Sequence, residues 1–237
     1  MEELKINWRQ LGWLAFFSIA MGFLETAVVV YLRKIYYPEG FLFPLTMMDS
    51  QLVTIELLRE ASTVIMLAGA GILAGRSPQQ RLAFFFAAFS IWDLFYYIFL
   101  KLLLRWPESF FTWDILFLIP VPWVGPVLAP CLISLTMLSL AAVLYWRDRQ
   151  RSEDRLNLLE WTLLVVGSLI VILSWTRDYF RLSSAPDAPN EALILFSNYV
   201  PSSYPWWIFA IGEAFLLFAI FLFWRRTAPQ RNHKVSR

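Results

Sequence analysis

Long apolar stretches, broken by short clusters of charge, proline and tryptophan, set the rhythm of this chain. Runs such as LLVVGSLIVIL (163–173) and EAFLLFAIFLF (213–223) show no alternation of polar and apolar positions. That pattern excludes the strands of a transmembrane barrel, which alternate over about ten residues, and predicts helices. The boundaries predict six of them, near 11–33, 52–75, 82–104, 126–146, 158–176 and 206–225. Each is close to the roughly 20 residues that cross a 30 Å hydrocarbon layer. The expected fold is therefore all-α, a polytopic membrane bundle of six transmembrane helices, with residues 1–237 forming a single integral membrane domain. The first run, Leu11 to Leu32, is too long for the core of a signal peptide, and no small-x-small cleavage pattern follows it, so it reads as a retained span.

Sorting the 20 Lys and Arg residues by these boundaries predicts orientation. Lys5, Arg9, Arg76, Arg81, Arg147, Arg149, Arg151, Arg155, Arg225, Arg226, Arg231, Lys234 and Arg237 fall on one side. Arg33, Lys34, Arg105, Arg177 and Arg181 fall on the other, while Arg59 and Lys101 lie inside spans. Cytoplasmic loops carry the excess of basic residues, so both termini are expected in the cytoplasm of a bacterial plasma membrane. The run RDRQRSEDR (147–155) then serves as an orientation signal and a contact for anionic lipid. The outer connections 34–51, 105–125 and 177–205 are longer and richer in Pro and aromatics, composition that suits segments lying in the interface or folding back as lids. Residues 1–104 and 126–225 share no pattern that aligns as an inverted repeat.

Composition agrees with the pattern and removes several functions. The chain is 59% hydrophobic and 16% charged, against about 25% charged in soluble domains. Twelve Trp and nine Tyr suit belts at two membrane interfaces. The single cysteine, Cys131, rules out an internal disulfide framework. The single histidine, His233, lies in the basic tail, so no haem site, Glu-x-x-His di-iron pattern or zinc spacing is expected. Basic residues flank spans and form no patch interleaved with stacking aromatics, which leaves no footprint for nucleic acid.

Against this background the segment IELLREAST (55–63) stands out, because it puts two glutamates and an arginine at the head of a span. Glu56, Glu60 and Thr63 recur at i, i+4 and i+7 with Arg59 beside them, a polar stripe on one helix face. Ser90, Asp93, Tyr97 and Lys101 make a stripe on the third helix, and Ser18, Gly22 and Glu25 one on the first. Depth follows from a rise of 1.5 Å per residue. Glu56, Glu60 and Glu213 lie roughly 6, 12 and 10 Å below the outer end, and Glu25 and Asp93 stop roughly 12 and 16 Å short of it. A charge at mid-membrane costs about 2.5–3.5 kcal/mol even on the lenient scale, so such stripes must face the bundle interior. Glu25, Glu56, Glu60, Asp93 and Glu213 are accordingly expected to meet, with Arg59, Tyr97 and Lys101, in one cavity opening to the outer face. Asp114, Arg177 and Asp178 are placed on its rim. Glu160, beside Trp161, is expected at the inner interface with its head in water. The small residues of LAGAGILAG (67–75) read as a surface for close helix approach.

Five carboxylates against Arg59 and Lys101 form an unbalanced cluster, relieved by bound protons, by water, or by a cation or cationic group. The expected function is a small transporter or proton-coupled permease. An alternative is a membrane-embedded enzyme acting on a lipid or lipid-linked substrate, with the carboxylates holding Mg²⁺ or Mn²⁺ and Arg59 and Lys101 binding phosphate. A further alternative is an assembly subunit whose acids meet the cations of a protein partner. The plain structural reading is that the same residues only fasten helices together.

Overall fold

The computed structural model describes residues 7–150, 154–184 and 195–228. Lys5, Arg151, Arg231, His233, Lys234 and Arg237 lie outside the described residues.

Six helices among the described residues are long and apolar enough to cross a membrane. They are α1 (Trp8–Tyr36), α2 (Ser50–Ala74), α3 (Pro78–Leu104), α4 (Leu128–Gln150), α5 (Leu158–Ser183) and α6 (Trp206–Arg226). Their starts are written in the sequence as caps, which satisfy backbone N–H groups that have no intrahelical acceptor. The Asn7, Asp49 and Ser77 side chains each accept from the first turn of their helix, with Pro78 next in line at α3. Asn157 and Glu160 form a reciprocal capping box at the start of α5.

Most of the helices outrun the apolar segments that announce them. α1 continues through Arg33 and Lys34 to Tyr36, and α5 runs through Arg177 and Asp178 to Ser183. A helix need not stop where hydrocarbon stops, since its intrahelical hydrogen bonds still satisfy backbone groups in the interface. α4 begins at Leu128, two residues later than expected, because the preceding residues form a strand. That strand is β2 (Trp123–Pro126), paired antiparallel with β1 (Trp113–Phe117) in a hairpin that the apolar string TWDILFLIPVPWVGP does not signal. Trp113 stands opposite Pro126, Asp114 opposite Gly125 and Ile115 opposite Val124, and the register then shifts between Ile115 and Phe117.

α3 is central and packs against α1, α2 and α4, while α5 and α6 form a second close pair that meets α4. Gly167 and Gly212 explain how close that pair lies. A Cβ on Gly167 would come 2.9 Å from the Gly212 carbonyl oxygen, and one on Gly212 would come 2.8 Å from the carbonyl oxygen of Gly167. Side-chain-free positions facing each other let two backbones touch. One core joins Leu14, Met21, Leu67, Phe84, Ala88 and Trp92 from α1–α3, and another joins Leu140, Leu144, Leu164, Leu216 and Phe223 from α4–α6. Phe16, Leu24, Ile65, Leu102, Leu169 and Phe218 remain exposed on the outer surface. Helices apolar on both faces fit lipid on one side and protein on the other.

Connections 37–49 and 105–127, with residues 195–205, lie at one end of the bundle, here the hairpin end; the first and last helices begin and finish at the opposite end. At that opposite end Glu160 departs from expectation, since it is 1% exposed and does not reach water. The capping box pulls its carboxylate over the α5 N-terminus, where it accepts from the Asn157 N–H at 2.8 Å. Arg226 of α6 then closes over it with Nε and Nη2 both at 2.9 Å.

Candidate functional site

The polar face of α1 ends at Arg33, in the helix's last turn and 7% exposed. Its Nη2 donates to Asp114 Oδ1 at 3.0 Å. Its guanidinium carbon lies 3.7 Å from the centre of the Trp106 ring and 4.4 Å from that of Phe41. Nη1 is buried and has no hydrogen-bond partner. Asp114 belongs to β1 and is 2% exposed. Burial pushes its carboxyl up to about 6, while the Arg33 charge, the Ile115 N–H and the Tyr97 hydroxyl, 3.4 Å from Oδ2, hold it down.

About 12 Å deeper along α1, eight residues at 1.5 Å each, Glu25 meets the stripe of α2. Arg59 bridges two acids from two helices: Nε donates to Glu56 Oε2 at 2.8 Å, and Nη1 pairs with Glu25. Thr63 donates to the other Glu25 oxygen at 3.3 Å. Glu60, one turn below Glu56, accepts the backbone N–H of Leu118 at 2.8 Å. Among the described residues it forms no ion pair. The hairpin therefore reaches into the mouth of the bundle and uses a main-chain donor to hold an acid of α2.

Arg33, Glu56, Arg59, Glu60, Tyr96 and Asp114 line one cavity of about 110 Å³, together with apolar atoms of Val29, Leu45 and Ile115. One water needs about 10–15 Å³, so the space accommodates several waters or a small solute. Glu25 and Thr63 do not line it and join the group through Arg59.

Not all the acids converge. Asp93 accepts from Ser134 of α4 at 2.7 Å and lines a separate cavity of about 250 Å³, among Phe89, Trp92, Trp123 and Trp175. Glu213 of α6 pairs with Thr136 of α4, and its Oε2 has no partner. The cause is the central position of α3: with neighbours on three sides, its polar positions are shared among them, and Asp93 faces α4. Tyr97 does not line the cavity and reaches its group through the Asp114 carboxylate and through a ring contact with Tyr96, 4.9 Å between centres. Lys101 is exposed and donates to the carbonyls of Arg105 at 3.3 Å and Pro107 at 2.7 Å, capping the end of α3. Of the three residues expected on the rim, Asp114 is in the wall itself. Arg177 is exposed and Asp178 is buried on α5, where it accepts from Tyr199; neither lines the cavity. Burial, reinforced by the hydrogen bond to Asp178, holds the Tyr199 proton on well above its ordinary range.

Arg33, Tyr96 and the Leu118 N–H are the members that sequence reading misses. Arg33 was legible: Ser18, Gly22 and Thr26 are buried on one face of α1, and continuing that face reaches Arg33. Counting it as a loop charge for orientation hid it. Among the described residues no three His, Cys, Asp or Glu groups are placed to hold a metal ion; between Glu25 and Glu56 the position such a cation would take is occupied by Arg59. Compared with protein-family models, curated proteins and solved structures, the chain matches none.

Proposed function

We propose that this chain is a small transporter of the bacterial plasma membrane, in which the cavity at the hairpin end binds a cation or cationic solute and couples its movement to protons. The observation that carries the reading is Glu60, a carboxylate in the cavity wall whose one bond is to a backbone N–H, where an ion-paired acid would be occupied already. An acid held in this way can exchange a proton for a positively charged group at little structural cost. The sorted basic residues support an orientation with both termini in the cytoplasm and the hairpin end outside.

Beside Glu60 lie the Arg59 ion pairs, and deeper in the bundle Leu14, Met21, Leu67 and Trp92 pack together in the α1–α3 core. The cavity thus corresponds to an outward-facing site with a closed floor. Arg59 is the natural gate, because a cation arriving beside Glu25 and Glu56 competes directly for the carboxylates that hold it. The test is reconstitution in liposomes enclosing a pH-sensitive dye, with candidate cations added outside. Solute-dependent proton movement that Glu60→Gln abolishes supports transport. Proton movement absent for every cation offered, in vesicles that contain folded protein, overturns it.

A further inference from the structure

We infer that the solute this cavity takes is a small zwitterion, its anionic group pairing with Arg33 and its ammonium group with Glu60. The inference rests on the cavity being the solute site of the proposed transporter, and it comes from counting which charges in the wall are already used. Arg59 is engaged by Glu25 and Glu56. Asp114 takes one nitrogen of Arg33. Two capacities remain. Arg33 keeps Nη1, buried without a partner in a residue that borders the cavity, and leaving such a charged donor unmade is costly. Glu60 keeps a carboxyl group that no cation pairs among the described residues, held by the Leu118 N–H.

These leftovers have opposite sign and belong to the same cavity. A simple cation drawn to Glu60 meets the guanidinium groups of Arg33 and Arg59, and a simple anion drawn to Arg33 meets Glu56, Glu60 and Asp114. A molecule carrying both charges satisfies both ends and adds no net charge to a partly desolvated site. The Trp106 and Phe41 rings lie against the Arg33 guanidinium, and the N–H donors of a guanidinium form a fork that reads a carboxylate. Because Nη1 is buried, seating the anion requires the guanidinium to turn that nitrogen toward the cavity.

Isothermal titration calorimetry on the full-length protein in detergent tests this with β-alanine, γ-aminobutyrate and glycine betaine, against propylammonium and propionate as singly charged counterparts. At least one zwitterion is expected to bind about tenfold or more tightly than either counterpart. Arg33→Gln should remove that advantage, because it deletes the partner of the anionic group and also the repulsion that weakens propylammonium, and Glu60→Gln should leave only weak binding of the anion. Propylammonium binding as tightly as the best zwitterion, or no zwitterion binding at all, overturns the inference; the wild-type comparison decides even if Arg33→Gln fails to fold. Zwitterion binding without uptake into liposomes would remove transport and leave this inference standing. Uptake of a singly charged cation without zwitterion binding would do the reverse.

Discussion

Replacing Arg59 by Met removes the one cation between Glu25 and Glu56 while keeping most of its apolar stem. The side chains involved are 20% exposed for Arg59, 11% for Glu25 and 6% for Glu56. Breaking a buried pair by deleting one partner costs about 3–5 kcal/mol, because the other charge is stranded. Arg59 strands two carboxylates, but it is one-fifth exposed beside a cavity that holds several waters, so the expected loss is near the lower bound, about 3 kcal/mol. The informative comparison is the triple variant Glu25→Gln, Glu56→Gln, Arg59→Met, which removes all three charges. With nothing stranded, its stability should return to within about 1 kcal/mol of wild type. Reversible unfolding in mixed dodecylmaltoside and SDS micelles, followed by far-ultraviolet circular dichroism, measures both. A single variant costing less than about 1 kcal/mol, or a triple variant no better than the single, would refute the reasoning that these charges are desolvated and mutually dependent. The triple variant also separates structure from function, since it should fold and yet show no solute-dependent proton movement.

Asp114 makes stability depend on pH. Burial raises its folded-state pKa from the ordinary 3.8 to about 6, so between those values the folded chain holds a proton that the unfolded chain has released. This contribution favours folding fully below about pH 4 and is lost as pH rises towards 6. Asp114→Asn should abolish the slope, the difference between the two unfolding free energies changing on the order of 3 kcal/mol across that window and staying flat above it. Gly212→Ala should destabilise the α5–α6 pair by about 1–3 kcal/mol, since the new methyl group meets the Gly167 carbonyl and Val171; unchanged thermal unfolding in detergent would mean the helices are not so close. Glu160→Ala removes both the capping box and the buried partner of Arg226 and should cost about 1–3 kcal/mol, whereas a change within about 0.5 kcal/mol, typical of a surface site, would restore the view of Glu160 as a solvated residue.

The six spans are legible because their signal is one-dimensional: length and continuous hydrophobicity suffice, wherever each side chain points. The ends are less legible, since Arg33, Lys34, Arg177 and Asp178 look like punctuation and are in fact helical. The hairpin is invisible because both of its strands are apolar and its connection carries Pro rather than Gly or Asn, so neither alternation nor turn chemistry marks it. The site divides along the same line. Glu56, Arg59, Glu60 and Thr63 share one helix, and their spacing alone puts them on one face. Whether acids on different helices meet depends on which face each helix turns to which neighbour, and periodicity within a helix does not contain that information. Hence Glu25 joins Arg59, while Asp93 and Glu213, at similar depth, find Ser134 and Thr136.

The hairpin is what ties the cavity to the rest of the bundle. Through Leu118 it holds Glu60 of α2, and through Asp114 it holds Arg33 of α1 and receives Tyr97 of α3. Its other strand lies on α5, where Trp123 stacks on Trp175 with ring centres 5.4 Å apart and Gly125 leaves room for the Trp175 edge. The α1–α3 half carries the charges, whereas the α5–α6 pair carries none of the cavity wall. A shift of α5 and α6 against α3 would nonetheless reach Glu60 and Arg33 together, because one rigid two-stranded element touches both halves. In the proposed transporter, coupling between solute binding and rearrangement of the bundle would therefore have a physical route that needs no contact between solute and α5. It passes from the Leu118 N–H and the Asp114 carboxylate, through the paired backbone of the hairpin, to the stacked indoles of Trp123 and Trp175.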